Sequence, residues 1–220
     1  MSAVGRAAAV LLLAAGLPGG VTAQRIVVGP QVVFGDYREA SSDLHFRGGG
    51  VGVAASFTLK KLGVDVAFSS IEYKPTDDAT GTLQTFKAKQ FDARLRYYIA
   101  GPISAELGVT NRKADPEFDA QSVGAVRGGV RASYLLGPGV RMGVRAGMLF
   151  GAKFSGGGTA RPIGAMELGL GVTVDGMKGR MRLTGDYELQ RLARTTGSGA
   201  GEVDVPIQQT LARVGVAVAF

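Results

Sequence analysis

The sequence has no cysteine and no tryptophan, and a single histidine, His45. Without cysteine, neither a disulfide framework nor a thiolate metal site can form. One histidine leaves too few nitrogen ligands for the usual zinc or haem sites, so no cofactor is expected. Long apolar runs are also missing. Outside the N-terminal run Ala7 to Leu17, no stretch approaches the roughly 18 residues of a membrane-crossing helix. The chain is instead rich in glycine, 35 of 220 residues, and in basic charge, 25 Lys and Arg against 18 Asp and Glu. A basic balance raises nucleic acid as a partner. The arginines are spread through many segments rather than clustered, and the N-terminus directs the chain to export, so none is expected.

The first 23 residues differ from the rest. Arg6 is followed by the apolar run, then by Pro18, Gly19 and Gly20, then by Val21-Thr22-Ala23. That order is the pattern of a secretory signal peptide, with cleavage between Ala23 and Gln24. The run is shorter than the about 20 residues of a spanning helix, which disfavours an uncleaved anchor. No lipoprotein cysteine follows it. The expected organisation is a signal peptide over 1–23 and one domain over 24–220. Loss of Arg6 lowers the formal net charge from +7 to +6.

The domain alternates with period two, which puts successive side chains on opposite faces of a strand. Val140, Met142, Val144, Ala146, Met148 and Phe150 alternate with Arg141, Gly143, Arg145, Gly147 and Leu149. The same habit runs through 166–175 and 181–190, and with varying strength through 26–37, 48–59, 63–74, 86–99, 103–113, 123–136 and 207–220. These make ten strands, most of them long enough for the about 9–11 residues of a tilted bilayer-crossing strand. Two are imperfect. In 63–74, Val64, Val66 and Phe68 share a face, but Ile71 and Tyr73 fall on the other. A bulge or a loss of membrane contact near Ser69-Ser70 explains such a slip. Pro30 in the first strand lacks a ladder donor. Without these two segments the count is eight.

Short connections near Lys60-Lys61, Ala100-Gly101-Pro102, Gly137-Pro138-Gly139 and Asp175–Lys178 alternate with longer polar ones at 38–47, 75–85, 114–122, 154–162 and 195–206. Outer-membrane barrels have short periplasmic turns and long extracellular loops. With that topology Phe34, Phe68, Phe150 and Tyr187 fall near one interface, and Phe57, Tyr97, Tyr134 and Phe220 near the other, as expected of two aromatic girdles. The fold expected is all-β: a closed antiparallel up-and-down transmembrane β-barrel of about ten strands.

The last strand places Thr210, Ala212, Val214, Val216, Val218 and Phe220 on one face, ending on the terminal aromatic. This resembles the C-terminal signal of bacterial outer-membrane β-barrel proteins, a resemblance of pattern that spans residues 24–220. It implies insertion in the outer membrane beside lipid and lipopolysaccharide. It also implies recognition of Val214, Val216, Val218 and Phe220 by the barrel-assembly machinery.

Open strand edges cannot face lipid, so the sheet should close, with its apolar face outward. The inner face then carries Arg94, Arg96, Arg127, Arg131, Arg141, Arg145, Arg182 and Arg213 with Asp65, Asp92, Glu106, Glu167, Asp186 and Glu188. Such charges should pair into a hydrated plug, because barrels of this size are barely wider than their side chains. The expected role is structural or surface-interacting, the alternative a small anion-preferring diffusion pore. A soluble periplasmic ligand-binding barrel or a barrel-mouth hydrolase would be further readings. No enzyme is expected. His45, assigned to the first outer loop near Ser41, Ser42 and Asp43, shows no catalytic spacing. Asp115-Pro116-Glu117-Phe118-Asp119 lacks the full calcium-loop pattern and reads as a solvated turn. Gly48-Gly49-Gly50 and Gly156-Gly157-Gly158 lack the lysine and helix of a phosphate loop.

Overall fold

A computed structural model describes residues 24–41, 44–76, 83–115, 118–197 and 201–220. The signal peptide expected over 1–23, including Ala23, lies outside the described residues, as do Ser42, Asp43, Pro116 and Glu117. Ten strands follow in order: β1 (Gln24–Glu39), β2 (Leu44–Leu59), β3 (Leu62–Pro75), β4 (Phe86–Ala100), β5 (Ile103–Asp115), β6 (Val123–Gly137), β7 (Val140–Phe154), β8 (Thr159–Gly176), β9 (Met181–Thr196) and β10 (Val203–Ala219). Each pairs antiparallel with its sequence neighbours, and β1 pairs with β10, closing a barrel without a free edge. Closure satisfies the backbone donors and acceptors that an open sheet would leave facing hydrocarbon.

Four connections, at 60–61, 101–102, 138–139 and 177–180, lie at one end, together with Phe220, whose N–H and C=O both pair with Ile26. We call this the turn end and the opposite one the loop end. Pro30 sits opposite Val53 of β2, and its missing donor falls on the β10 side, where the ladder skips from Val28 to Gln31 without changing register.

Several expected boundaries move. The first outer connection is not 38–47 but the four residues 40–43, and that at 154–162 shrinks to 155–158. The one expected at 195–206 shrinks to 197–202. Long and short connections therefore do not alternate without exception. The physical reason is that the strands continue past the apolar band at the loop end. His45 is correspondingly a strand residue of β2, not a loop residue. The bulge considered in β3 is absent, since its registers with β2 and β4 run unbroken through Ser69 and Ser70. Loss of membrane contact is the explanation that holds.

That loss is general, and it inverts the polarity of the wall. Over the lower part of the barrel, outward side chains are apolar, as with Val51 at 68% and Leu107 at 59% exposure. Above Phe34 on β1 the outward residues become Asp36 and Arg38, and above Phe91 on β4 they become Lys89 and Lys87. Above Val109 on β5 they become Asn111, Lys113 and Asp115. The inward residues at these levels change the other way. Tyr37, Phe86, Ala88 and Ala114 are buried, as are Ile71 and Tyr73 of β3. They join Val33, Phe46, Leu149, Phe154, Leu192, Ile207 and Leu211 in one hydrophobic cluster.

Candidate functional site

The interior of the barrel is the candidate site, and it is built in levels. At mid-height Glu188 of β9 is fully buried. It accepts from Arg145 at 2.7 Å, Arg94 at 2.8 Å, Arg213 at 3.0 Å and Arg127 at 3.4 Å. Those four guanidiniums come from β7, β4, β10 and β6, so the contacts cross the lumen. Their remaining donors meet Glu167, Asp92 and Asp186: Arg94 to Glu167 at 3.0 Å, Arg127 and Arg213 to Asp92 at 3.1 Å, and Arg145 to Asp186 at 2.8 Å. Four bases face four acids, so this belt is neutral, as a water-poor interior demands.

Room for the arginines comes from small neighbours. A Cβ on Gly169 would stand 2.4 Å from Arg145 Nε. Below the belt, Arg96 meets Asp65 at 2.7 Å and Arg131 meets Glu106 at 2.7 Å, a second balanced group of two bases and two acids. Nearer the turn end, Asp175 is clasped by Arg182 at 2.8 Å and by Arg25, reaching from β1, at 3.1 Å. Of the inward charges anticipated in the sequence, all but Arg141 are thus brought together. Arg141 lines the lumen with no hydrogen-bond or ion-pair partner among the described residues.

Above the belt, amides replace charges. Gln190 donates to Glu188 at 2.6 Å and Gln90 to Asp92 at 3.0 Å, while Gln209 bridges Gln90 at 3.2 Å and the Tyr73 hydroxyl at 3.3 Å. Arg112 donates to Gln209 and lies over the Tyr37 ring, 5.1 Å from its centroid. Then the lumen turns apolar. Phe46, Phe86 and Phe118 stack or meet edge-on with centroids 4.4–5.1 Å apart. Phe118, read in the sequence as part of a solvated turn, is packed against the core. The single-turn 3₁₀ segment Asp119–Gln121 beside it is tied down by Arg194, whose guanidinium reaches Gln121 Oε1 at 2.7 Å, and by Arg112, which reaches the Gln121 carbonyl at 3.2 Å.

Sequence reasoning missed Arg25, Arg112, Arg194, the glutamine layer and the whole apolar level. The available signal was the exchange of faces itself: Phe86 and Ala88 alternate with Lys87 and Lys89, in antiphase with Leu95 and Tyr97 lower on the same strand.

The other sequence features stay outside this interior. His45 Nε2 lies 2.9 Å from Asp36 Oδ2, the oxygen that also accepts from Arg47 at 3.0 Å. This pair lies on the outward face of the wall above the apolar band, with the His45 ring itself buried. Burial works to raise the Asp36 carboxyl, but the hydrogen bonds and charges of His45 and Arg47 outweigh it and hold the group below its ordinary value. Inside, at the same level, burial pushes the Tyr37 phenol up to about 12, so it stays neutral. Asp119 accepts from the Ser122 hydroxyl at 3.1 Å. No group of three metal-ligating residues forms among the described residues. Gly48–Gly50 lie within β2 rather than at its end.

No family model matches the chain, and no curated protein matches it in sequence. Among solved structures it is similar to Neisserial surface protein A, at 14% identity over 89% of this chain and 97% of that one, with a TM-score of 0.40. It is also similar to Ail, the attachment invasion locus protein of Yersinia pestis, at 10% identity over 90% and 99%, TM-score 0.42. A third is the outer membrane protease OmpT of Escherichia coli, at 9% identity over 93% and 99%, TM-score 0.47. Identities this low leave the assignment to the chain's own geometry. A closed ten-stranded wall with apolar side chains outward and ion pairs inward has its polarity matched to lipid outside and polar groups within. The chain is a small closed antiparallel β-barrel with the wall polarity of a membrane-spanning one.

Proposed function

We propose that the protein is a non-conducting, non-enzymatic barrel that acts through the surface it lifts above the outer leaflet. Its turn end, with both termini, then faces the periplasm, and residues 1–23 serve as the export signal. One observation carries the reading: two levels of side chains fill the lumen, the neutral Arg–Glu–Asp belt around Glu188 and the aromatic level around Phe46 and Phe86. An aqueous path would have to breach both, and their chemistries are opposite.

The outer wall above the band supports an interaction with anionic headgroups. Lys89 and Lys113 stand directly opposite one another on β4 and β5, just above Phe91 and Val109. Like charges directly opposite are destabilising, so a lipopolysaccharide phosphate between them would relieve the pair. The apolar, outward Val214, Val216, Val218 and Phe220 suit the assembly machinery that the C-terminal pattern implies. The same outward apolar wall speaks against a soluble ligand-binding barrel. His45 is engaged with Asp36 on the outer wall, away from the barrel interior, which speaks against a hydrolase mouth.

Reconstitution in planar bilayers tests the seal. The refolded barrel should give no stable conductance steps in chloride or gluconate salts. Regular steps with anion preference would overturn the reading in favour of the small diffusion pore.

A further inference from the structure

The two seals leave the turn half of the lumen open. There a cavity of about 590 Å³ reaches from Asp92, Arg94 and Arg213 of the belt down to Gly101 and Pro102 in the β4–β5 turn. It is a blind vestibule. The pairing described above says where its charge lies. The belt and the Arg96–Arg131 group are each balanced, so neither holds an unmatched cation. Asp175 is saturated, with Oδ1 and Oδ2 each accepting from both Arg25 and Arg182. Arg141, on the neighbouring strand β7 opposite Thr173, is left with no counter-ion among the described residues.

The mouth adds to this excess. The turns carry Lys60, Lys61, Lys178 and Arg180 and no acid. With Arg25, Arg141 and Arg182, seven basic side chains stand at the turn end against one acidic side chain, Asp175. Of the 25 basic residues of the sequence, Arg6 and these seven leave seventeen; of the 18 acidic residues, setting Asp175 aside leaves seventeen. The rest of residues 24–220 is therefore balanced. The formal excess of +6 thus matches the side chains of the turns and of the strand ends beside them, of which Arg25, Arg141 and Arg182 line the cavity.

We propose that this vestibule is a binding site for a small oxyanion, a phosphate- or carboxylate-bearing solute, anchored by Arg141 and steered in by the rim. The planar guanidinium fork of Arg141 matches both groups, and an excess of positive charge around a cleft concentrates anions at its mouth. Thr173 and Thr184, also on the cavity wall, offer hydroxyls beside it. Because the belt blocks the far end, an anion that enters returns by the same mouth; the site is a receptor and not a conduit. Placing the solute in the periplasm rests on the orientation proposed above, but binding itself does not.

The test uses the full barrel refolded in non-ionic detergent, titrated calorimetrically at low salt with inorganic phosphate and, separately, with citrate. The two arms distinguish phosphate from carboxylate as the preferred group. Saturable binding of one anion per barrel is expected. Arg141→Gln should weaken it about tenfold or more, and Arg141→Lys less, since a charged hydrogen bond of that kind is lost or kept. Heat-modifiable migration should be unchanged in both, because Arg141 supports no other residue. Thr173→Glu leaves Arg141 in place and gives it a counter-ion, and should weaken binding to the same extent. Lys60→Gln with Lys61→Gln should only flatten the salt dependence, changing affinity about twofold at most. Equal affinity in Arg141→Gln, no saturable binding, or a loss in the lysine variant as large as in Arg141→Gln would each overturn the proposal. Conductance in bilayers would overturn the sealed lumen and the blind end of this site, and is read separately from the binding measured here.

Discussion

The lower and upper parts of this barrel are built from the same ten strands and the same period-two alternation, yet with opposite contents. Below Phe34, Phe91 and Val109 the wall is apolar outside and ionic inside; above them it is charged outside and aromatic inside. The difference teaches that a strand's alternation sets two faces, and the surrounding solvent decides which face is which. In the bilayer, apolar side chains gain nothing by turning inward, so polar groups take the lumen and pair there. Above the bilayer, water is outside again, and the hydrophobic effect drives Phe46, Tyr73 and Phe86 into the barrel as it would in a soluble sandwich. The upper part is held by apolar burial and the lower part by lipid and by charge pairing.

The sharpest way to break that contrast is at the hub of the lower part. Glu188→Ala leaves Arg94, Arg127, Arg145 and Arg213 without their common acceptor. Removing one partner of a buried ion pair costs about 3–5 kcal/mol, and four cations left with three acids put this case at the upper end. Urea titration of the folded, heat-modifiable band should show the largest loss of any single substitution here.

Truncation of the upper core comes next. Phe46→Ala removes a fully buried ring that meets Tyr37, Phe86 and Phe118, and should cost about 3–4 kcal/mol in the same titration. It should leave the belt untouched, so single-channel recordings of this variant should remain silent, as should those of the parent. Opening of the lumen in Phe46→Ala alone would mean that the aromatic level, and not the belt, is the seal.

How much of this was legible follows from the same contrast. Period two is a local steric property, so all ten strands, and the inward position of Arg94, Arg145 and Glu188, could be read from the sequence. The level at which the bilayer ends is not local. It depends on which residues of ten strands stand at equal height, which register and tilt decide. Ile71 and Tyr73 therefore looked like a slip in a weak strand when they were the inner face of a regular one. Arg112 and Arg194 escaped for the same reason, since both lie above the band, where the outward positions had ceased to be apolar. Pairing partners were legible only as balance of sign. That Glu188 and not Glu167 is the hub required the closed structure.

A smaller effect is expected on the outer wall of the lower part. Leu107→Arg puts a cation among lipid chains and should cost about 2–4 kcal/mol near mid-bilayer, falling towards the interfaces. The smallest effect is on the outer wall of the upper part. Lys113→Glu converts the Lys89–Lys113 opposition into an opposite-charge pair and should stabilise by about 0.2–1 kcal/mol, measured in detergent at low salt. It should at the same time weaken retention on lipopolysaccharide-containing vesicles, if phosphate bridges the two lysines. A gain of stability with no change in vesicle retention would leave the pair without that partner.

The inversion of the wall is tested most directly by the depth of two outward positions on one strand. The absence of cysteine allows Leu107→Cys and Lys113→Cys each to carry a single environment-sensitive fluorophore in liposomes. Quenching by lipids brominated along their chains should be strong at position 107 and absent at 113, where only a water-soluble quencher should act. Lipid quenching at both positions, or at neither, would contradict the account.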